Sequence, residues 1–490
     1  MSADDVAAWR GPIPPLADLD AVHFIGIGGA GMSGIARIML ARDVRVSGSD
    51  RRDSSTLRAL AALGARVEVG HEGAHLGDAA TVVVSTAIRD ENPELVAARE
   101  RGLRVLPRAV ALAAVMAGRR SVAVAGTHGK TSTTSMLTVA VQACGVDPSF
   151  AIGGTLNESG SNAHSGQGDV FLAEADESDR SFLLLAPLGA IVTNVEADHL
   201  DNYGDLAAVE AAFDTFVHTV PAEGFLVLCA DDPGAARLAG LGAAGRVRTY
   251  GEGPDADLRL IDLRVAADGT RYTAVLDGRE LGEVHIQLPG VHMALNSAAA
   301  LLAGLELGLP AAGLIGGLER FGGVHRRFEL KGTSAGVRVY DDYAHHPTEV
   351  AAQLRAARAV AGSGALVVLF QPHLYSRTAQ FAEGFGEALG LADRIVVMDV
   401  YGAREDPVPG VTGRLVAQAV PDQGRVWFEP SWSAAASRVA GLARPGDLVV
   451  TMGAGDVSMV GPEVLAALDD PGTGDPEVAG GAADGTGPSR

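Results

Sequence analysis

A short apolar run, Ser121 to Ala125, breaks into Gly126-Thr127-His128-Gly129-Lys130-Thr131, and a helix-compatible stretch follows to about Cys144. That order commits this part of the chain to a strand, a glycine loop and a helix. Backbone N–H groups of such a loop close around phosphates, with a helix N-terminus behind them. A lysine at the loop's end reaches the outer phosphates, and the hydroxyl after it suits Mg²⁺. Of the 39 basic residues only two are lysines, Lys130 and Lys331. An ammonium kept where guanidinium is the habit marks a position that needs a compact point charge. The spacing is tighter than in the common phosphate loop, since Gly126 lies three residues before Gly129 rather than five. The alternative is a plain glycine turn between strand and helix; the lysine favours an ATP site.

At 490 residues the chain has material for two to four domains. With 47% apolar and 20% charged residues it reads as soluble and globular, and no apolar run reaches the 18 or so residues of a membrane span. No signal peptide is visible at the N-terminus, and Cys144 and Cys229 give no disulfide framework, so both are expected as core thiols of a cytoplasmic protein. A net charge of −21 argues against nucleic acid. An acidic protein that handles anions must gather its positive charge locally, as the loop at Lys130 does.

Short apolar strands alternate with helical patterns almost throughout, which predicts an α/β fold of three parallel-sheet units. After an extension over 1–18, the first unit occupies 19–118, with strands at 21–25, 44–47, 66–69, 81–85 and 104–106. The second occupies 119–325 and the third 326–468; from 469 to 490 the chain is Gly, Pro, Asp and Ala and is expected to be a disordered tail. In the first unit, Gly26-Ile27-Gly28-Gly29-Ala30-Gly31 follows a strand, opens a helix, and is succeeded by Asp50 at the next strand's end. This is the fingerprint of a diphosphate-binding turn, extended by Met32 and Ser33. It accommodates a nicotinamide dinucleotide or a sugar nucleotide; beside an ATP site the second reading is preferred.

In the middle unit, Glu174 ends an apolar strand, where α/β proteins place their chemistry, and is the best single metal ligand. Asp176, Glu177 and Asp179 read as a solvated acidic turn. His199, among carboxylates after another strand, is a candidate ligand of a second metal, and such hard oxygen donors suit Mg²⁺. Asn296 lies one helical turn from His292, on a face able to meet an adenine edge or simply to be polar.

Taken in order, these motifs resemble the Mur ligase family, in its alanine-adding branch, over residues 20 to 465. The carriers also include Ser85-Thr-Ala-Ile88 with Asn92-Pro93, His325-Arg-Arg-Phe328, Asp341-Asp-Tyr-Ala-His-His-Pro-Thr-Glu349 and Phe370-Gln-Pro-His373. The resemblance implies three domains: a Rossmann-like UDP-binding domain, a central P-loop-type ATPase domain and a Rossmann-like C-terminal domain that takes the amino acid. It implies ATP-dependent ligation of L-alanine to UDP-N-acetylmuramate through an acyl phosphate, by a monomer or weak homodimer. By the same resemblance Gly126, Thr127, His128, Gly129, Lys130, Thr131 and Ser132 hold ATP with Asn296, Arg327 and Asp342. Thr131, Glu174 and His199 bind two Mg²⁺. Gly26, Gly28, Gly29, Ala30, Gly31, Met32, Ser33, Asp50 and His71 bind the UDP-sugar, while His346 and Arg377 orient the amino acid. Lys130, His199, Arg327 and His346 are the implied catalytic group, and either histidine could take the amine's proton. A sister branch attaching a preformed tripeptide to the same sugar nucleotide shares most of these motifs. Two features qualify the match: no lysine lies between 131 and 330 to serve as a carbamylated metal bridge, as the alanine-adding branch also lacks it, and Leu374 follows His373 where many relatives carry arginine.

Overall fold

The computed structural model describes residues 9, 11–157, 159–242, 244–403 and 405–469. Apart from Asp469, which ends the helix Val460–Asp469, the tail expected from 469 onward lies outside them, as do most of the extension's first ten residues. The chain divides into two compact units, Met1–His325 and Arg326–Arg490.

The first unit carries two sheets. Its N-terminal sheet has five parallel strands in the order Arg66–Val69, Arg45–Asp50, Ala21–Ile25, Thr81–Val84, Arg104–Pro107. Chain direction across the sheet reverses between Ala21–Ile25 and Thr81–Val84, and a ligand crevice forms outside the strand ends at such a point. The glycine turn sits there, and Gly29 caps the helix Ala30–Leu40 that follows.

The second sheet has ten strands and is not wholly parallel, which corrects the expectation of three parallel units. Six strands, from Arg246–Gly251 inward through Phe225–Cys229, Gly189–Val192, Arg120–Ala125 and Val170–Glu174 to Ser149–Ala151, form the parallel body. Leu258–Ala266 joins it in parallel, then Gly269–Leu276 and Arg279–Ile286 fold back antiparallel. The turn between the last two is Asp277-Gly278, with φ of +50° and +79°. Positive φ at both central residues is what a tight hairpin requires, and an Asp-Gly pair supplies it at low cost. That pair was readable in the sequence as a hairpin signal.

The second unit has a six-stranded sheet, in the order Glu329–Ser334, Val337–Asp342, Leu448–Met452, Leu366–Phe370, Arg394–Val397, Val426–Phe428, with only the first pair antiparallel. Leu366–Phe370 is apolar at every position because both faces of a parallel sheet are covered. Alternate residues enter different cores: Leu366, Val368 and Phe370 in one, Val367 and Leu369 in the other. Cys229 is buried as expected, whereas Cys144 sits half-buried at a helix end.

A buried carboxylate braces the N-terminal sheet. The helix Pro93–Glu100 starts at Asn92, whose Oδ1 accepts the N–H of Glu94, with Pro93 in the first turn. Glu94 is fully buried and accepts from Ser49 Oγ at 2.5 Å, with His71 Nδ1 at 3.0 Å, His75 Nδ1 at 3.2 Å and His23 Nε2 at 3.5 Å. Burial alone would raise this carboxyl, but hydrogen bonds from His23, Ser49 and His71 hold it below its ordinary range. A depressed carboxylate adds stability above its unfolded range, and the gain is lost as pH falls through the folded value. Glu94→Ala leaves a buried hydroxyl and imidazoles without their acceptor and is expected to cost about 3 kcal/mol. Urea unfolding at pH 7.5 and pH 4 measures it, with the difference between the two proteins shrinking at the lower pH.

Candidate functional site

Three neighbouring parallel strands, Gly189–Val192, Arg120–Ala125 and Val170–Glu174, end at one edge and deliver loops from distant parts of the chain to one place. The central loop, Gly126 to Gly129, enters the helix Lys130–Ala143. Both glycines are obligatory. Gly126 has φ +135° and a Cβ there would collide with Thr193; Gly129 has φ +82° and a Cβ would stand 2.6 Å from Asn296 Oδ1. The loop is held from behind by the next strand's turn: Thr127 N donates to Asn194 O at 3.0 Å and His128 N to Asn194 Oδ1 at 2.7 Å. His128 Nε2 faces Glu196 at 3.6 Å. Asn194 was not singled out in the sequence; its position directly after a buried strand was the available signal.

Lys130 Nζ donates to Gly126 O at 2.8 Å, Thr127 O at 3.1 Å and Glu177 Oε1 at 2.7 Å. A cation in a helix's first turn opposes the helix dipole, so its carboxylate partner is needed. Glu177 is only 2% exposed, and Asp179 is buried too, so the acidic stretch is no solvated turn. The helix-like turn after it tucks these carboxylates against the loop, with Tyr203 Oη donating to Glu177 O at 2.6 Å. Burial and, after the attraction of Lys130 is counted, repulsion from Asp176 push the Glu177 carboxyl up to about 7. Burial would lower the Lys130 ammonium, but Glu177, Asp176 and Glu174 hold it above its ordinary range, so it stays charged.

Thr131 Oγ1 donates to Glu174 Oε1 at 2.9 Å, and Gly153 N donates to Glu174 Oε2 at 2.7 Å. His199, with φ +54°, points Nε2 to within 3.7 Å of Glu177 and 3.6 Å of Asp198. Lys130, Thr131, Glu174 and His199 therefore share one sheet edge. Ser132 is buried one residue further into the helix, and Asn296 is buried against Gly129. The hydroxyl and carboxylate oxygens at Thr131 and Glu174 form a hard donor pair that fits Mg²⁺.

At the N-terminal sheet's edge, Gly28 N donates to Asp50 Oδ2 at 2.9 Å, and Gly26 N to Ser49 O at 2.8 Å. Asn162 Nδ2 reaches Ala30 O at 2.7 Å and Ser33 Oγ at 3.5 Å. A cavity of about 380 Å³ opens here, lined by Gly28, Ser33, Arg37, Ser55, Thr56 and Asn162. Met32 is buried beneath the turn, and His71 stands beyond Asp50, its Nδ1 held by Ser49 and Glu94.

In the second unit, Arg327 lies over the Tyr343 ring, 5.1 Å from its centre, and 3.9 Å from Glu349. Asp342 spends one carboxylate oxygen on its own turn, accepting Ala344 N at 2.8 Å, and the other on the segment before Glu329–Ser334, accepting Phe328 N at 2.8 Å. Burial pushes its carboxyl up to about 6 against the pull of Arg327. His346 caps the helix Pro347–Ala361, its Nδ1 accepting Thr348 N at 3.4 Å, with its ring edge-on to Phe381. Arg377 is buried in the helix Tyr375–Leu389, just after Leu374, which holds φ +69°.

The description "Mur ligase family, catalytic domain" matches residues 21–120, "Mur ligase middle domain" matches 124–304, and "Mur ligase, glutamate ligase domain" matches 326–455. A relative named UDP-N-acetylmuramate–L-alanine ligase, from Saccharopolyspora erythraea, is 62% identical over 460 residues, which is 92% of this chain and 94% of its own. The crystal structure of UDP-N-acetylmuramate-alanine ligase MurC from Thermotoga maritima superposes with a TM-score of 0.77 at 28% identity, covering 91% of this chain and 98% of that one. A murein peptide ligase from Psychrobacter arcticus gives 0.68 at 25% identity, covering 92% and 99%. With three domain-level matches in family order on three α/β sheets, and near full-length identity well above half, the chain belongs to the Mur ligase family.

Proposed function

We propose that this protein joins L-alanine to UDP-N-acetylmuramate at the expense of ATP, giving an amide, ADP and phosphate. The observation that carries the reading is the convergence of Lys130, Thr131, Glu174 and His199 at one sheet edge. The near full-length similarity to relatives named for the alanine reaction supports the choice of substrates.

A carboxylate resists amide formation because its leaving group would be oxide. Transfer of the γ-phosphoryl group of ATP turns that oxide into phosphate and needs positioning and charge neutralisation above all. In this reading Lys130 exchanges loop carbonyls and Glu177 for nucleotide phosphates, while the loop N–H groups close around them. Thr131 and Glu174 would hold one Mg²⁺ and His199 a second, and the ions would supply further neutralisation of the phosphates. Asn296, packed on Gly129, is assigned to the adenine, with Arg327 and Asp342 assigned to the nucleotide's phosphates and ribose. The glycine turn from Gly26 to Ser33, with Asp50 and His71, takes the UDP moiety. The alanine amine then attacks the acyl carbon, phosphate departs with the electron pair of the broken C–O bond, and the amine's proton passes to His199 or His346.

The direct test is phosphate release with UDP-N-acetylmuramate offered beside single amino acids or the preformed tripeptide. Release with L-alanine at far lower concentration than with glycine, serine or the tripeptide is expected; preference for the tripeptide would assign the sister activity. Arg377, buried beside Leu374, is assigned the amino-acid carboxylate. Arg377→Ala should raise KM for alanine about 10- to 100-fold, the value of one charge-assisted pair, and leave KM for ATP within about twofold. Equal rises in both would refute that role.

A further inference from the structure

The geometry points to Arg108 as a substrate-binding residue that holds an oxyanion of the sugar nucleotide, between the glycine turn and the metal carboxylates. This rests on the sugar-nucleotide reading above. Arg108 opens the helix Arg108–Met116, where the helix dipole disfavours a cation. It stands against a second helix start, since a Cβ on Gly31 would lie 2.8 Å from Arg108 Nη1. The guanidinium thus bridges from one helix start to another in a chain of net charge −21.

Among the described residues, the partners of this guanidinium are all on one nitrogen. Nη2 donates to Asp176 Oδ2 at 2.9 Å and Ser181 Oγ at 3.3 Å, and lies 4.0 Å from Asp179. Asp179 in turn accepts from Thr86 Oγ1 at 3.2 Å. Nη1 lies on the side of Gly31, and Gly31 and Arg108 line a cavity of about 250 Å³ together with Gly34, Ile152, Glu174 and Asp176. Arginine offers a rigid fork: one arm anchored on a carboxylate leaves the other aimed at a second anion. The cavity runs from the turn assigned to the diphosphate to the carboxylate assigned to Mg²⁺. Along that path the sugar nucleotide presents two oxyanions, the diphosphate and the acid to be phosphorylated.

Steady-state kinetics of Arg108→Ala and Arg108→Lys, with thermal unfolding of both, test the assignment. KM for UDP-N-acetylmuramate should rise at least about tenfold in Arg108→Ala, with KM for ATP and alanine within about twofold, and Arg108→Lys should recover part of the loss. Inhibition by UDP-N-acetylglucosamine, which keeps the diphosphate but lacks the acid, separates the two sources. A parallel rise in its Ki assigns the diphosphate, and an unchanged Ki assigns the acid. An unchanged KM for the sugar nucleotide, or equal rises in all three KM values with a lowered Tm, would overturn the inference and leave Arg108 a structural tie to Asp176. A wild-type protein without turnover on UDP-N-acetylmuramate would instead overturn the functional reading beneath it.

Discussion

Replacing Lys130 by alanine should lower ATP-dependent turnover by about 10³-fold or more, the scale of removing a charge that meets a transferring phosphoryl group. The fold should survive. Lys130 is tied to Gly126 O, Thr127 O and Glu177, so its loss strips two loop carbonyls and one buried carboxylate of a partner. Glu177 already sits near pH 7, and without the neighbouring ammonium it rises further and binds a proton instead of remaining an isolated buried charge. The stability cost is therefore about 1–3 kcal/mol, that of unmet hydrogen bonds. Phosphate-release assays and thermal unfolding read the two effects separately. Lys130→Arg sharpens the test: a flat guanidinium cannot sit among three acceptors arranged for a compact ammonium, so it should rescue little. Full activity in the arginine variant would refute the point-charge argument.

The second large effect is expected at Glu174. Its two oxygens are divided between Thr131 Oγ1 and Gly153 N, so Glu174→Gln keeps the size while exchanging an ionised acceptor for an amide. Activity at fixed Mg²⁺ should fall about 10²-fold or more, and the Mg²⁺ concentration for half-maximal rate should rise at least about tenfold. Binding of UDP, measured by calorimetry without ATP, should stay within about twofold, because the UDP moiety is assigned to the glycine turn on the other sheet. An unmoved Mg²⁺ dependence would remove Glu174 from the metal site.

Lys130, Thr131 and Glu174 were legible because a glycine loop and a strand end carry their roles in local sequence. Glu177 was misread as part of a solvated turn, since nothing local tells an exposed acidic turn from one folded under a neighbouring loop. The Asp277-Gly278 hairpin was legible and passed over, because the α/β alternation around it outweighed two residues with positive φ. Arg108 gave no signal at all: an arginine opening a helix means little until Gly31 and Asp176, from separate parts of the chain, arrive on either side of it.

By itself the sequence determined everything set by near neighbours: strands with both faces apolar, turns that only glycine can make, and the single ammonium at the phosphate loop. The tertiary structure decided which charges meet. Side chains far apart in the chain become partners only when parallel strands end together, and burial then fixes whether each carboxyl holds or releases its proton. That is why Glu94 is pulled down by hydrogen bonds from His23, Ser49 and His71, while burial pushes Glu177 up against the attraction of Lys130.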